Sequence, residues 1–332
     1  PFCPESELSG IGNRDFMPCV WYRRDIEIPP EADGKRTILH FGAVDYHAIV
    51  YVNGVKVTEH KGGYTPFSAD ITDYLKSDGN YITLCAYDDV RSCNQPSGKQ
   101  SQQLNSFGCS YTRTTGIWQT VWMEIVPNEY IRDVRVTPDW DNGLVRMRIR
   151  VFSAALTENA SSAHISPTAA DQTDSQGTVL AFSPDRQNSS NVICKVYPPV
   201  FLDADGLNDT LCQDEITTAA IRPGKEATLS IPENMQKSWT PKEPWLYPYS
   251  LEYGKDRVLG YFALRKCDVQ IADDGYPRFF LNNQPYFQSG VLDQGYWPDG
   301  LYTAPSDEAL IYDIRAMKDL GFNMLRKHGK IE

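Results

Sequence analysis

The sequence contains no run near the roughly 18 apolar residues that a membrane-spanning helix needs. It has no CxxC pair, and its five histidines do not sit beside cysteine at zinc-site spacing. A metal site is therefore disfavoured, and the eight cysteines read as scattered thiols or an incidental pair. Positive charge is in deficit, with 32 Lys+Arg against 43 Asp+Glu and a net charge of -11. That balance argues against a nucleic-acid or anionic-membrane partner. No nucleotide or metal motif occurs, so no cofactor is expected. The chain starts at Pro1 without a basic-then-apolar leader, which leaves the compartment open. Helical periodicity is almost absent before the last fifty residues.

What is present is β-patterned and aromatic. Hydrophobic residues make up 41% and aromatic residues 12%, including seven Trp and nineteen Tyr; aromatic faces can stack on sugar rings, but on composition alone they read as β-sandwich core. After an irregular stretch over 1–18, alternation predicts strands at Val20–Ile28, Thr37–Phe41, Ala48–Val52, Val55–Val57, Tyr81–Tyr87 and Thr120–Val126. Asn53-Gly54 is the strongest hairpin signal, because both positions of a type I′ turn take positive φ. Phe67–Leu75 reads as a loop with a short turn. This first stretch, 1–126, is expected to be an antiparallel sandwich.

A second β-domain, 127–266, begins with Ile131–Thr137. The clearest alternation follows at Leu144–Phe152, with Val145, Met147, Ile149 and Val151 on one face and Arg146, Arg148 and Arg150 on the other. A solvated strand face explains that arginine row better than a polyanion stripe. Residues 153–190 read as a long polar insertion. Strands return at Val192–Tyr197, Ala227–Ile231, Tyr249–Tyr253 and Val258–Leu264, suiting an immunoglobulin-like sandwich. Three N-x-S/T sequons, at Asn159, Asn188 and Asn208, do not settle the compartment.

From 267 to 332 the pattern changes. Asp273-Asp274-Gly275 marks a turn. Tyr286–Leu292 reads as a strand buried on both faces. Ser306 caps a helix whose Leu310, Ile311, Ile314, Met317 and Leu320 share an apolar face, and Gly321 ends it. Phe322–Leu325 opens a second strand. Strand, helix, strand is the start of a parallel α/β unit. One such unit does not close a sheet, so the expectation is that the sequence stops inside a domain.

Three segments together resemble glycoside hydrolase family 2, the β-galactosidases, β-glucuronidases and β-mannosidases. They are Tyr111-Thr-Arg-Thr-Thr-Gly-Ile-Trp-Gln-Thr-Val-Trp122; Trp239-Thr-Pro-Lys-Glu-Pro-Trp-Leu-Tyr247 with Gly260-Tyr-Phe-Ala-Leu-Arg265; and Leu281-Asn-Asn-Gln-Pro285 with Gly321-Phe-Asn-Met-Leu-Arg326. The resemblance covers nearly the whole chain, in order. It implies a mainly β chain: a jelly-roll (galactose-binding-like) sandwich, an immunoglobulin-like sandwich, then the first strands and helix of an incomplete (β/α)8 TIM barrel. It also implies a carbohydrate substrate, with a β-galactoside ahead of a β-glucuronide or β-mannoside, and retention through two glutamates on barrel strands four and seven. Both would lie beyond Glu332, so no catalytic residue is expected here and this chain alone is expected to be inactive.

The substrate-facing candidates are Arg326 and His328 at the end of the second barrel strand, and Asp293, Gln294 and Trp297 after the first, with Tyr296 beside Trp297 as a stacking wall. In family members an aspartate before the Gly-Ile turn reaches the pocket, and here Ser110 stands in its place. Asp89, with Asp88, is the substitute. A homo-oligomer is possible. The rival readings are a stand-alone carbohydrate-binding sandwich and a structural or adhesive β-protein, neither of which uses half a parallel α/β unit.

Overall fold

The computed structural model describes residues 1–153, 191–201 and 214–330. The polar insertion and all three sequons fall outside the described residues. Two compact units emerge, one built from residues 1–126 with 289–330, the other holding 127–153, 191–201 and 214–288.

The first unit contains β1 (Cys19–Ile26), β2 (Arg36–Phe41), β3 (Val44–Asp45), β4 (His47–Val52), β5 (Val55–Lys61), β6 (Phe67–Asp70), β7 (Asn80–Tyr87), β8 (Gly116–Ile117) and β9 (Val121–Val126). One sheet runs β1-β7-β4-β5 and another β6-β2-β9, all antiparallel, while β3 pairs with β8. The alternation read from sequence supplies their shared core, in which Leu39, Phe41, Val50, Val52, Leu84 and Ala86 are buried. Asn53 and Gly54 take φ of 52° and 83°, the hairpin geometry expected of Asn-Gly. The segment read as a loop after Phe67 is instead strand β6 followed by a short turn of helix. Phe67 and Ala69 alternate inward there, and the pattern is too short to show from sequence.

The second unit contains β10 (Glu129–Asp139), β11 (Leu144–Ser153), β12 (Val192–Val196), β13 (Val200–Phe201), β14 (Thr217–Ile221), β15 (Glu226–Ser230), β16 (Trp245–Tyr253), β17 (Asp256–Phe262), β18 (Cys267–Ile271), β19 (Pro277–Leu281) and β20 (Gln284–Pro285). Sheets β10-β11-β15 and β13-β16-β12-β14, with β17 on β16, enclose Val145, Met147, Ile149, Val192, Cys194 and Leu251. The arginine row lies opposite this core, and Arg146 and Arg150 pair with Asp139 and Asp133. The expected Asp-Asp-Gly turn joins β18 to β19, with Gly275 at φ 80°.

Back in the first unit, β21 (Gly290–Asp293) pairs in parallel with β22 (Met324–Lys327), joined through helix α1 (Asp307–Asp319). Ser306 Oγ accepts from the Ala309 amide at 3.3 Å, and Gly321 turns the chain out at φ 87°. The strand read as Tyr286–Leu292 and buried on both faces is corrected here. The ladder begins only at Gly290, and Leu292 is 48% exposed. A continuous apolar run signals a covered strand, but β21 has β22 as its single sheet neighbour among the described residues, so its faces stay open. The apolar face of α1 is likewise solvent-facing, with Ile314 57% exposed. No helix among the described residues is long and apolar enough to cross a membrane.

Candidate functional site

The parallel pair places its carboxyl ends side by side. Asp293 pairs with Lys327 in register, and the His328 amide donates to the Asp293 carbonyl at 2.8 Å. The Asp293 carboxylate accepts from Lys327 Nζ at 3.1 Å and from the Gly295 amide at 2.8 Å, which turns the chain out of the strand. The Arg326 guanidinium lies 3.3 Å from His328 Nδ1. The structure therefore brings Asp293, Gln294, Arg326 and His328 to one end of one strand pair, where parallel α/β folds hold ligands.

Those strand ends are gripped by the first sandwich, within the same unit. Tyr111, in the loop ahead of β8, donates its hydroxyl to Gln294 Oε1 at 2.7 Å and stacks on Tyr296 at 4.3 Å between ring centroids. Tyr111 is itself held by its backbone: its amide donates to Lys99 O at 2.8 Å and its carbonyl accepts from the Ser101 amide at 2.7 Å. A second anchor is an aromatic knot. Trp118 and Tyr302 are buried and meet edge to face at 5.1 Å, and the Tyr302 hydroxyl bonds to those of Tyr64 (2.9 Å) and Tyr296 (3.3 Å). Lys330, 2% exposed, donates to the carbonyls of Tyr302 and Gly295 and lies 4.7 Å from the Trp118 ring. Thr303 Oγ1 donates to Trp118 O at 2.6 Å.

Beneath the loop lie three buried carboxyls, Glu5, Asp45 and Asp88. Gln100 donates to Asp45 Oδ2 at 2.8 Å and accepts from the Thr114 amide at 2.9 Å. Asp88 accepts from Gln95 at 2.6 Å and from Thr115 Oγ1 at 3.0 Å, and the Thr115 amide donates to Glu5 Oε2 at 3.2 Å. Glu5 Oε1 and Asp45 Oδ1 have no hydrogen-bond partner among the described residues. Burial raises all three pKa values, and mutual repulsion adds to the rise at Asp45 and Asp88. Asp88 is pushed up to about 6, and Asp45 well above the usual carboxylate range. Their hydrogen bonds come from neutral donors, and through Gln100 and the Thr115 amide they hold the backbone of the segment that carries Tyr111. These acids organise the site from below.

The remaining candidates fall as follows. Trp297 closes a tight loop through its backbone, pairing with Leu301 at 2.8 and 3.1 Å. Tyr296 is packed against Tyr111 and Tyr302, so its ring is occupied by protein. Asp89 is exposed and caps a turn through the Arg91 amide, whereas its neighbour Asp88 is the buried carboxyl. Ser110 pairs with Phe107 in a turn just ahead of Tyr111. Asp45, Gln100, Tyr302 and Lys330 were missed from the sequence. A lone acid in the apolar run Ala43-Val44-Asp45 was an available signal for the first, and Trp118 stands inside the Gly-Ile-Trp segment. Nothing in the sequence marks Lys330. No group of three or more His, Cys, Asp or Glu is placed to hold a metal among the described residues.

Residues 10–123 match the family "Glycosyl hydrolases family 2, sugar binding domain". The beta-galactosidase of Thermoanaerobacter pseudethanolicus is 27% identical over 83% of this chain and 32% of its own length. The beta-glucuronidase of Canis lupus familiaris is 32% identical over 42% of this chain and 24% of its own. Among solved structures, a beta-glucuronidase of an uncultured Clostridium sp. aligns with a TM-score of 0.68 at 21% identity, covering 98% of this chain and 47% of that one. The beta-glucuronidase of Ruminococcus gnavus aligns with a TM-score of 0.66 at 18% identity, covering 94% of this chain and 46% of that one. The chain thus spans about a third or less of these curated relatives.

Proposed function

We infer, for a chain that belongs to glycosyl hydrolase family 2, that it forms the accessory sandwich, the second β-domain and the entry strands of a retaining exo-β-glycosidase. In this reading β21, α1 and β22 open a (β/α)8 barrel, and the pocket lies over the carboxyl ends of its strands. The observation that carries it is the grip of Tyr111 on Gln294 at 2.7 Å, because a sandwich that fixes barrel-strand ends positions a substrate rather than merely binding one. The hydrolysis needs two carboxyls about 5 Å apart, one to protonate the leaving oxygen and one to attack the anomeric carbon. No glutamate stands at either described strand end, so the pair would come from other strands. Arg326 and His328 would then orient a catalytic carboxylate or bind sugar hydroxyls, with Asp293 and Gln294 accepting from them.

The preferred substrate is a terminal β-galactoside, matching the relative aligned over most of the chain. A β-glucuronide is the second reading. Arg326 has no carboxylate partner among the described residues, whereas the neighbouring Lys327 is paired with Asp293, so a sugar carboxylate at this strand end would meet the Arg326 guanidinium. The test is turnover of chromogenic β-galactoside, β-glucuronide and β-mannoside by a protein carrying this chain with the rest of the barrel. Turnover of one of them, reduced at least tenfold by Arg326→Ala, is expected. No turnover of any β-glycoside by the folded protein would sink the reading.

A further inference from the structure

Cys19 and Cys85 stand on neighbouring strands with their sulfurs 3.0 Å apart, and both are free thiols. In the β1–β7 ladder Cys19 faces Tyr87 and Cys85 faces Trp21. The two cysteines are thus diagonal neighbours on the same sheet face. A disulfide needs its sulfurs at about 2.05 Å, so closure requires about 1 Å of sulfur movement. No other pair of described cysteines is brought into such contact: Cys3 touches Thr114, Cys194 touches Met147, and Cys93, Cys109 and Cys267 are exposed. Their spacing in sequence, 66 residues, gives no hint of the pairing.

We propose that Cys19 and Cys85 are a disulfide-forming pair, oxidised by exchange with a small-molecule disulfide such as oxidised glutathione. Cys19, the more exposed of the two, attacks first: its thiolate displaces one glutathione thiolate and becomes a mixed disulfide. Cys85 then loses its proton, attacks the Cys19 sulfur and expels the second glutathione. Two protein thiols and one oxidised glutathione become one protein disulfide and two reduced glutathiones, so electrons and protons balance. Burial holds the Cys85 thiol up at about 11, which makes it the resolving rather than the initiating group.

The cross-link has a structural address. Asp88 follows β7 and its amide donates to the carbonyl of Pro18, the residue before Cys19, at 3.1 Å. The disulfide pins edge strand β1 to β7 one step from the turn that carries the buried Asp88. The inference does not depend on the glycosidase reading.

The experiment equilibrates the folded protein in glutathione buffers of rising oxidised fraction, then alkylates, digests and weighs the peptides. A peptide joining Cys19 to Cys85, two fewer free thiols and a higher thermal midpoint are expected, all lost in Cys19→Ser. A Cys93→Ser/Cys109→Ser variant should cross-link like the parent. Three results would overturn the proposal: alkylation of both cysteines at every ratio, glutathione left on Cys19 without closure, or a link from either cysteine to another residue. The mass measurement on the unmodified sequence decides this even where a variant fails to fold.

Discussion

Replacing Asp88 by Asn should make the protein more stable at neutral pH and leave it little changed in acid. Asp88 is 5% exposed, and burial lifts its carboxyl from the ordinary 3.8 to about 6. A group whose folded pKa is raised binds more protons in the native than in the unfolded state between those two values. Its stabilising contribution is complete below about pH 3.8 and is lost as pH rises through about 6. At about 1.4 kcal/mol per pKa unit, the loss is roughly 2–3 kcal/mol. Asparagine fits the same contacts: its carbonyl still accepts from Gln95, and its amide donates to Thr115 Oγ1, whose hydroxyl can turn to accept. Urea unfolding of both proteins at half-unit steps from pH 4 to pH 8, followed by circular dichroism, gives the difference directly. The gap should open from about pH 4, reach half its size near pH 5 and level above about pH 6 at roughly 3 kcal/mol. A gap that is constant with pH, or that closes as pH rises, would refute the assignment of a strained buried carboxylate.

Three further outcomes follow from the geometry. Tyr111→Phe keeps the ring stacked on Tyr296 but loses the bond to Gln294, so folding should weaken by about 1 kcal/mol or less; in a protein with the whole barrel, kcat/KM for its glycoside should fall while the thermal midpoint barely moves. Tyr247→Phe should cost about 1–3 kcal/mol in urea unfolding, because the fully buried hydroxyl serves the Lys237 amide at 2.6 Å and the Met235 carbonyl at 2.9 Å. Gly54→Ala should destabilise by about 1–2 kcal/mol: at φ 83° the left-handed backbone disfavours a Cβ, although the nearest atom, Tyr81 Oη, lies an ordinary 3.5 Å away. An unchanged unfolding midpoint would remove the turn assignment.

Period-two alternation and turn chemistry made most of the sandwich strands legible, as in β4, where Ala48, Val50 and Val52 face the core and Ile49 and Tyr51 stand between them on the more open face. Strand–helix–strand order at the end was equally plain. Burial was not, because β21 reads as a covered strand from composition while its cover depends on neighbours that a local pattern does not reveal. The candidate site was legible in the placement of Asp293, Gln294 and Arg326 at or just past the ends of the parallel strands. It was opaque where function depends on contacts between distant segments. Tyr111 meets Gln294 across 183 residues, and Gln100 meets Asp45 across 55. Choosing Asp89 beside Asp88 shows the same limit: two adjacent acids are equivalent in sequence and opposite in burial.

The short segment ahead of β1, irregular in sequence, has its own consequence for biogenesis. Cys3, Pro4, Glu5 and Ser6 are buried, and Ser6 Oγ donates to the carbonyl of Asp299, 293 residues later in the chain. At translation speeds of about 5–20 residues per second, that partner leaves the ribosome roughly 15–60 s after the serine. The sandwich can form its sheets early and seat Cys3 and Glu5 against Thr114 and Thr115, but the Ser6 side chain waits for its partner until the later segment arrives. Cotranslational folding of this unit is thus a two-stage event, and a pause between the stages is when nascent chains are exposed to chaperones and proteases.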